Sequence, residues 1–115
     1  MIRWIVAFVF TQAIEIPIYA FALRRWGSES ARARTALVAF GASAITHPIV
    51  WFVIPRLSPY RYRTTVILAE IFAIIVEAVY LRKAAGLKHA WLWSLAANLT
   101  SVTLGFMSRA KFGWP

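Results

Sequence analysis

The chain has 115 residues, of which 61% are hydrophobic and only 15% are charged. Soluble domains usually contain about 45–50% apolar and about 25% charged residues, so a water-soluble domain is excluded, because so short a chain could not bury the excess apolar surface. The formal net charge of +9 does not indicate nucleic-acid binding, because the thirteen Lys and Arg residues border the apolar segments, where anionic lipid headgroups would contact them.

Four apolar segments follow one another along the chain, at residues 2–23, 35–54, 64–81 and 90–108. Each is close to the roughly 20 residues that a helix needs to cross a bilayer, and the strict alternation of a membrane β-strand is missing. The connections between the segments are short, which favours antiparallel neighbours. The sequence therefore predicts an all-α integral membrane protein, a single domain spanning residues 1–115, with four transmembrane helices in an up-down antiparallel bundle.

The aromatic and basic residues support a membrane location but do not orient the bundle. Tryptophan prefers the membrane interface, and all six lie near segment ends: Trp4, Trp26, Trp51, Trp91, Trp93 and Trp114. Tyr60 and Tyr62, in the second connection, are expected there too. The side with the N-terminus, the second connection and the C-terminus carries six Lys and Arg, and the other side carries seven, so the orientation stays undecided. In a bacterium we expect the inner, cytoplasmic membrane.

The acidic residues are unusually placed for a membrane protein. The chain has no Asp, and of its four Glu only Glu29 falls in a connection; Glu15, Glu70 and Glu77 lie within apolar segments. Ionisable residues inside a membrane are rare and are candidates for functional sites, because a charge in hydrocarbon is costly.

Each segment also carries a polar seam at helical spacing. The seams consist of Thr11, Gln12, Glu15 and Tyr19; Ser43, Thr46 and His47; Glu70 and Glu77; and Ser94, Asn98 and Ser101. Lipid offers these groups no hydrogen bonds, so we expect all four seams to face the bundle interior. Pro17 and Pro48 are predicted helix kinks, each of which frees a backbone carbonyl close to an ionisable side chain.

The helical rise predicts the depth of the polar groups. Measured from the face that holds the first and third connections, Glu77 comes first, Glu15 and Asn98 follow, and His47 and Glu70 lie deepest. We therefore expect His47 to lie beside Glu70, and Glu15 beside Asn98.

Three functional hypotheses follow from this site, formed by Glu15, His47, Glu70, Glu77 and Asn98. The first is binding or conduction of a proton or another cation, as in a transporter or channel. The second is a membrane-embedded metal site, catalytic or not, with a divalent metal ion as the one cofactor candidate; no cysteine and no His-Glu spacing motif supports it. The third is a structural accessory subunit with a buried polar network. The sequence assigns no catalytic residue and does not decide whether the chain is an enzyme.

In overall plan the chain resembles the small multidrug exporters, on the basis of its length, its four spans, a Glu midway along the first span and the weak orientation bias. The resemblance implies export of cations in exchange for protons through Glu15 by antiparallel dimers. It is one of architecture, since the family's motifs around and beyond that Glu are missing and His47, Glu70 and Glu77 are additional polar groups. The expected partners are the bilayer, its anionic headgroups, and either further copies of the chain or a larger membrane complex, and not nucleic acid.

Overall fold

The computed structural model describes residues 1–26, 32–57 and 61–113. Within them the chain forms four helices. The first helix covers Ile2–Trp26. The second begins as an α-helix, Arg32–Pro48, and continues through a π-helical turn, Ile49–Val53, and a last α-turn, Ile54–Leu57. The third helix covers Tyr62–Ala85 and the fourth covers Ala90–Phe112. The predicted all-α class is confirmed. The expectations for Glu29, Tyr60, Trp114 and the side chain of Trp26 lie outside the described residues.

The turn between the third and fourth helices is closed by backbone geometry. Gly86 adopts a left-handed conformation (φ 61°), and its N–H donates to the Arg82 carbonyl at 2.9 Å while the Leu87 N–H donates to the Leu81 carbonyl at 3.3 Å. This pair of bonds is the usual way in which glycine ends a helix. His89 is also left-handed (φ 56°), which His tolerates better than most side chains, and the fourth helix starts directly after it.

The two predicted kink prolines have different outcomes. Pro17 lies inside the first helix, which runs through it from Ile2 to Trp26. Pro48 is the last α-helical residue before the π-helical turn Ile49–Val53. Proline removes one backbone donor from the ladder, and π-turns often occur where a helix is disturbed at a functional site. The second helix therefore changes its winding after Pro48, one residue beyond His47.

The four helices form a closed ring. The first helix packs against the second and the fourth, and the third packs against the same two. Small residues permit this packing. A Cβ on Gly41 would overlap the hydroxyl of Tyr80, whose oxygen donates to the Val38 carbonyl at 3.1 Å and so links the third helix to the second.

A soluble protein buries its large apolar side chains and exposes its polar ones, and the described residues of this protein show much of the opposite arrangement. Large exposed side chains such as Val9, Leu37, Ile67 and Ile75 face outward, whereas many described interior residues are small or polar. Three helical segments are long and apolar enough to cross a membrane, namely Ile2–Arg25, Arg34–Arg56 and Tyr62–Ala85. The predicted fourth span, residues 90–108, is helical but is not among them.

The largest apolar contacts lie at one end of the ring, near the first and third connections. Tyr19, Leu23, Leu81 and Leu87 are fully buried there, together with several alanines. Because tightly packed aliphatic side chains leave no room for water, this group, which we term the apolar plug, closes that end of the bundle.

Candidate functional site

A polar cavity of about 140 Å³ lies between the four helices. Every helix contributes to its wall, so the interior position expected for the polar seams is observed for most of their members. The predicted site residues that line it are Thr11, Glu15, Ser43, Thr46, His47, Glu70, Glu77, Asn98 and Ser101. A cavity of this volume has room for several water molecules, and its lining supplies the polar partners that buried water needs.

The Glu15 carboxyl group is held by two hydroxyl groups from different helices. Ser43 Oγ donates to Oε1 at 2.5 Å, and Ser101 Oγ donates to Oε2 at 2.6 Å. Glu15 is 1% exposed, so these bonds replace the water that the carboxyl group would otherwise bind. The first, second and fourth helices are joined at this residue.

The Glu77 carboxyl group is held by three donors, one from each of the other helices. Tyr19 Oη donates to Oε1 at 2.6 Å and Thr46 Oγ1 donates to Oε2 at 2.7 Å. Asn98 Nδ2 completes the set with a bond to Oε1 at 3.2 Å. Glu77 is 1% exposed, and the dense set of donors is what a buried carboxyl group requires.

The two carboxyl groups line the same small cavity, and Glu70 lines it as well. At this proximity the charges of Glu15 and Glu77 act on each other. Two buried carboxylates that share one site repel each other strongly, so a proton held by one of them lets both stay in place. We refer to Glu15 and Glu77 together as the carboxyl pair.

The expected pairing of Asn98 with Glu15 is not the one that the hydrogen bonds show. Asn98 donates to Glu77, and Ser101, one turn further along the fourth helix, donates to Glu15. The long Glu side chains can bridge the modest step in depth that helical rise predicts between neighbouring layers, so the contacts do not have to follow the predicted layers.

His47 and Glu70 line the same cavity, but two of their polar atoms have no hydrogen-bond partner. These are His47 Nδ1 and Glu70 Oε2, both buried, so the expected pairing of the two side chains is not made through these atoms. Aromatic rings surround His47 instead: its ring centroid lies 5.3 Å from Phe8, 6.1 Å from Trp4 and 6.1 Å from Trp51. Buried polar atoms without partners mark places where a water or ligand would bind.

The remaining seam residues tie helices together. Gln12 Nε2 donates to the Phe40 carbonyl at 3.2 Å, while its Oε1 is buried and has no partner. Ser94 Oγ donates to the Ile74 carbonyl at 2.7 Å, and Asn98 Nδ2 also contacts the Ser94 carbonyl at 2.9 Å. Gln12, Tyr19 and Ser94 do not line the polar cavity, although Tyr19 binds Glu77 directly.

A wider cleft of about 800 Å³ leads from the other end of the bundle to the polar cavity. Both spaces are lined by Glu70 and Trp51, together with Ala7, Val50, Val102 and Gly105, so we treat the cleft as the vestibule of the cavity. Arg3, Tyr62 and Arg109 line it as well, and the sequence assigned the two arginines only to lipid headgroups. Sequence spacing carries no signal for this vestibule, because its residues come from distant parts of the chain.

The metal-site hypothesis gains no support from the geometry. Across residues 1–26, 32–57 and 61–113, no three His, Asp or Glu side chains are grouped so that they could hold a metal ion together. The carboxyl groups of Glu15 and Glu77 are engaged by hydroxyl and amide donors, and a cation bound to them would have to displace these donors. Comparison with known proteins gives no match to a family model, to a curated protein or to a solved structure.

Proposed function

We propose that the chain is an integral membrane protein with four membrane-crossing helices, and that its carboxyl pair binds and transfers a proton. The observation that supports this most is that Glu15 and Glu77, from two different helices, line one polar cavity inside the ring. Five side-chain donors from three helices hold the pair, and a cavity with room for several water molecules adjoins it. Proton relays in membranes use such intramembrane carboxyl groups.

Four crossings are favoured over three by the partners of the pair. The fourth helix supplies Ser101 to Glu15 and Asn98 to Glu77, and it packs along both the first and the third helix. If this helix lay outside the bilayer, both carboxyl groups would lose a donor in hydrocarbon. Its basic residues, Arg109 and Lys111, lie in its last turn, where they reach an interface. In a bacterium the membrane would be the inner one.

A proton fits the site better than a larger cation does. A proton needs only a chain of oxygen atoms at hydrogen-bond distance. Ser43 bonds to Glu15 and Tyr19 bonds to Glu77, and the polar cavity that both Glu residues line has room for water between them. The vestibule gives access from one end, whereas the apolar plug closes the other. Passage across the membrane therefore requires a second arrangement in which the plug opens, as alternating access does in other transporters.

Proton flux in proteoliposomes tests the proposal. Vesicles that contain the purified chain and a trapped pH-sensitive dye are given a pH step, and the internal pH is followed. The parent should transfer protons faster than empty vesicles, and Glu15→Gln and Glu77→Gln should each abolish the difference, because Gln keeps the shape but carries no exchangeable acid proton. Glu29→Gln is the matched control, since it makes the same change in the first connection and should leave the flux unchanged.

The competing structural hypothesis predicts no loss of function in the Gln variants. If the polar network only joins the helices, these variants should be as stable as the parent or more stable, because no charge has to be desolvated. Parent vesicles that behave like empty vesicles, or a parental flux that survives both substitutions in folded protein, would refute proton transfer by the pair. Helix content and gel-filtration behaviour show whether each variant is folded.

A further inference from the structure

The vestibule presents opposite charges at its two ends. Arg3 and Arg109 line its outer part, and Glu70 lines its inner part, where it adjoins the polar cavity. Between them lie apolar and aromatic side chains, among them Val66, Val102 and Phe106. This combination goes beyond a proton pathway, because a proton needs neither an apolar wall nor an arginine-lined opening.

The outer end is built to receive an anion. Arg109 Nη1 donates to the Tyr62 hydroxyl at 2.7 Å, and its guanidinium carbon lies 5.1 Å from the centre of the Tyr62 ring. These contacts hold the side chain in place while most of its five N–H donors remain for other acceptors. A planar guanidinium fixed in this way suits a carboxylate or phosphate group.

The inner end is built to receive an ammonium group. Glu70 Oε2 is buried without a hydrogen-bond partner, and so is Nδ1 of His47, a residue only 8% exposed. The Trp51 ring stacks on His47 with an interplanar angle of 22° and lines the vestibule. A carboxyl oxygen without a partner, an imidazole and an indole face together form a set that attracts a cation with N–H donors.

We propose that the vestibule binds an amphipathic zwitterion, with its ammonium group at Glu70 and its anionic group at Arg109. Glu70 lies eight residues beyond Tyr62 on the third helix, so the two ends are roughly 12 Å apart by helical rise. An ethanolamine phospholipid brings its two charges much closer together than this. The ligand class is therefore a long-chain amino acid or a similar molecule with charges at both ends and an apolar middle.

Equilibrium binding of four probes tests the ligand class. The probes are ω-aminooctanoate, octylammonium, octanoate and the short zwitterion γ-aminobutyrate, titrated into the purified full chain in detergent and followed by calorimetry. We expect ω-aminooctanoate to bind about tenfold more tightly than either singly charged probe, since each charged end contributes one charge-assisted contact. The short zwitterion should bind weakly, because it cannot reach both ends.

Two substitutions assign the ends, and one serves as control. Glu70→Gln should remove the advantage of ω-aminooctanoate over octanoate, and Arg109→Gln should remove its advantage over octylammonium. Arg63→Gln changes an exposed arginine on the same end of the bundle that does not line the vestibule, so it should leave all four affinities unchanged. Intrinsic fluorescence of the parent and of Trp51→Phe gives a second measurement if heats are small.

Several results would overturn the proposal. Octylammonium binding as tightly as the zwitterion would indicate a simple cation pocket, and an equal loss in Arg63→Gln would indicate general surface charge. Failure of every probe to bind would also reject it. Because binding is measured without a proton gradient, its failure leaves the proton test of the carboxyl pair untouched, and a failed proton test leaves the ligand-binding result standing.

Discussion

Tyr19→Phe is the sharpest single test of the polar network. The substitution keeps the ring, which is fully buried, and removes only the hydroxyl that donates to Glu77 Oε1 at 2.6 Å. It also removes the acceptor for Asn98 Nδ2 at 3.3 Å. Glu77 Oε1 then keeps the amide bond alone, so the change in stability reports the loss of the hydroxyl both as a donor to the buried carboxyl group and as an acceptor for Asn98.

The expected cost follows from the type of bond. Hydrogen bonds to charged groups contribute about 1.5–3 kcal/mol and neutral ones about 0.5–1.5 kcal/mol, while side-chain bonds between membrane helices average about 0.6 kcal/mol. Because the Tyr19 hydroxyl donates to a buried carboxyl group, we expect Tyr19→Phe to lower the free energy of unfolding by roughly 1.5–2 kcal/mol, well above the membrane average. Helix content followed during titration of mixed micelles with a denaturing detergent measures it.

Tyr80→Phe is the matched control. Its hydroxyl also joins two helices, but it donates to the Val38 carbonyl, an uncharged acceptor, at 3.1 Å. We expect a loss of only about 0.5 kcal/mol. In a Glu77→Gln background, Tyr19→Phe should cost about 1 kcal/mol less than in the parent, because the acidic acceptor is gone. Equal losses for the two tyrosines, or additive effects of Tyr19→Phe and Glu77→Gln, would refute the argument that the carboxyl acceptor makes this bond strong.

Three further predictions use other contacts. Gly41→Ala should destabilise the chain by about 1–3 kcal/mol, because its Cβ would overlap the Tyr80 hydroxyl, and Tyr80→Phe should restore part of the loss in the same titration. Ser43→Ala and Ser101→Ala should each lower the free energy of unfolding by about 1–3 kcal/mol, because each leaves a Glu15 oxygen without its donor. The control Thr100→Val removes an exposed hydroxyl bonded within its own helix and should cost under about 0.5 kcal/mol. Similar losses at all three positions would contradict the special role of Glu15. Because the chain has no cysteine, Lys88→Cys and Lys111→Cys can be labelled singly in sealed vesicles with an impermeant thiol reagent; the two sites should react from opposite sides, and labelling of both from the same side would refute a fourth crossing.

Helical periodicity in the sequence by itself determined the positions of the helices and the faces that carry their polar groups. The apolar segments predicted helices within the observed bounds, and spacings such as Thr11, Glu15 and Tyr19 placed polar groups on one face. Since lipid cannot bind those groups, the inward direction of the seams followed from physical chemistry alone. Most of the predicted residues do line one cavity.

The tertiary structure decided which of these groups meet. Periodicity fixes the face of a helix but not its register against a neighbour, so Asn98 binds Glu77 and Ser101 takes the place expected for it at Glu15. The same limit applies to His47, which is surrounded by aromatic rings instead of bonding to Glu70 through Nδ1. The closed end and the open vestibule depend on side chains from all four helices, whose relative positions are set by packing rather than by local sequence.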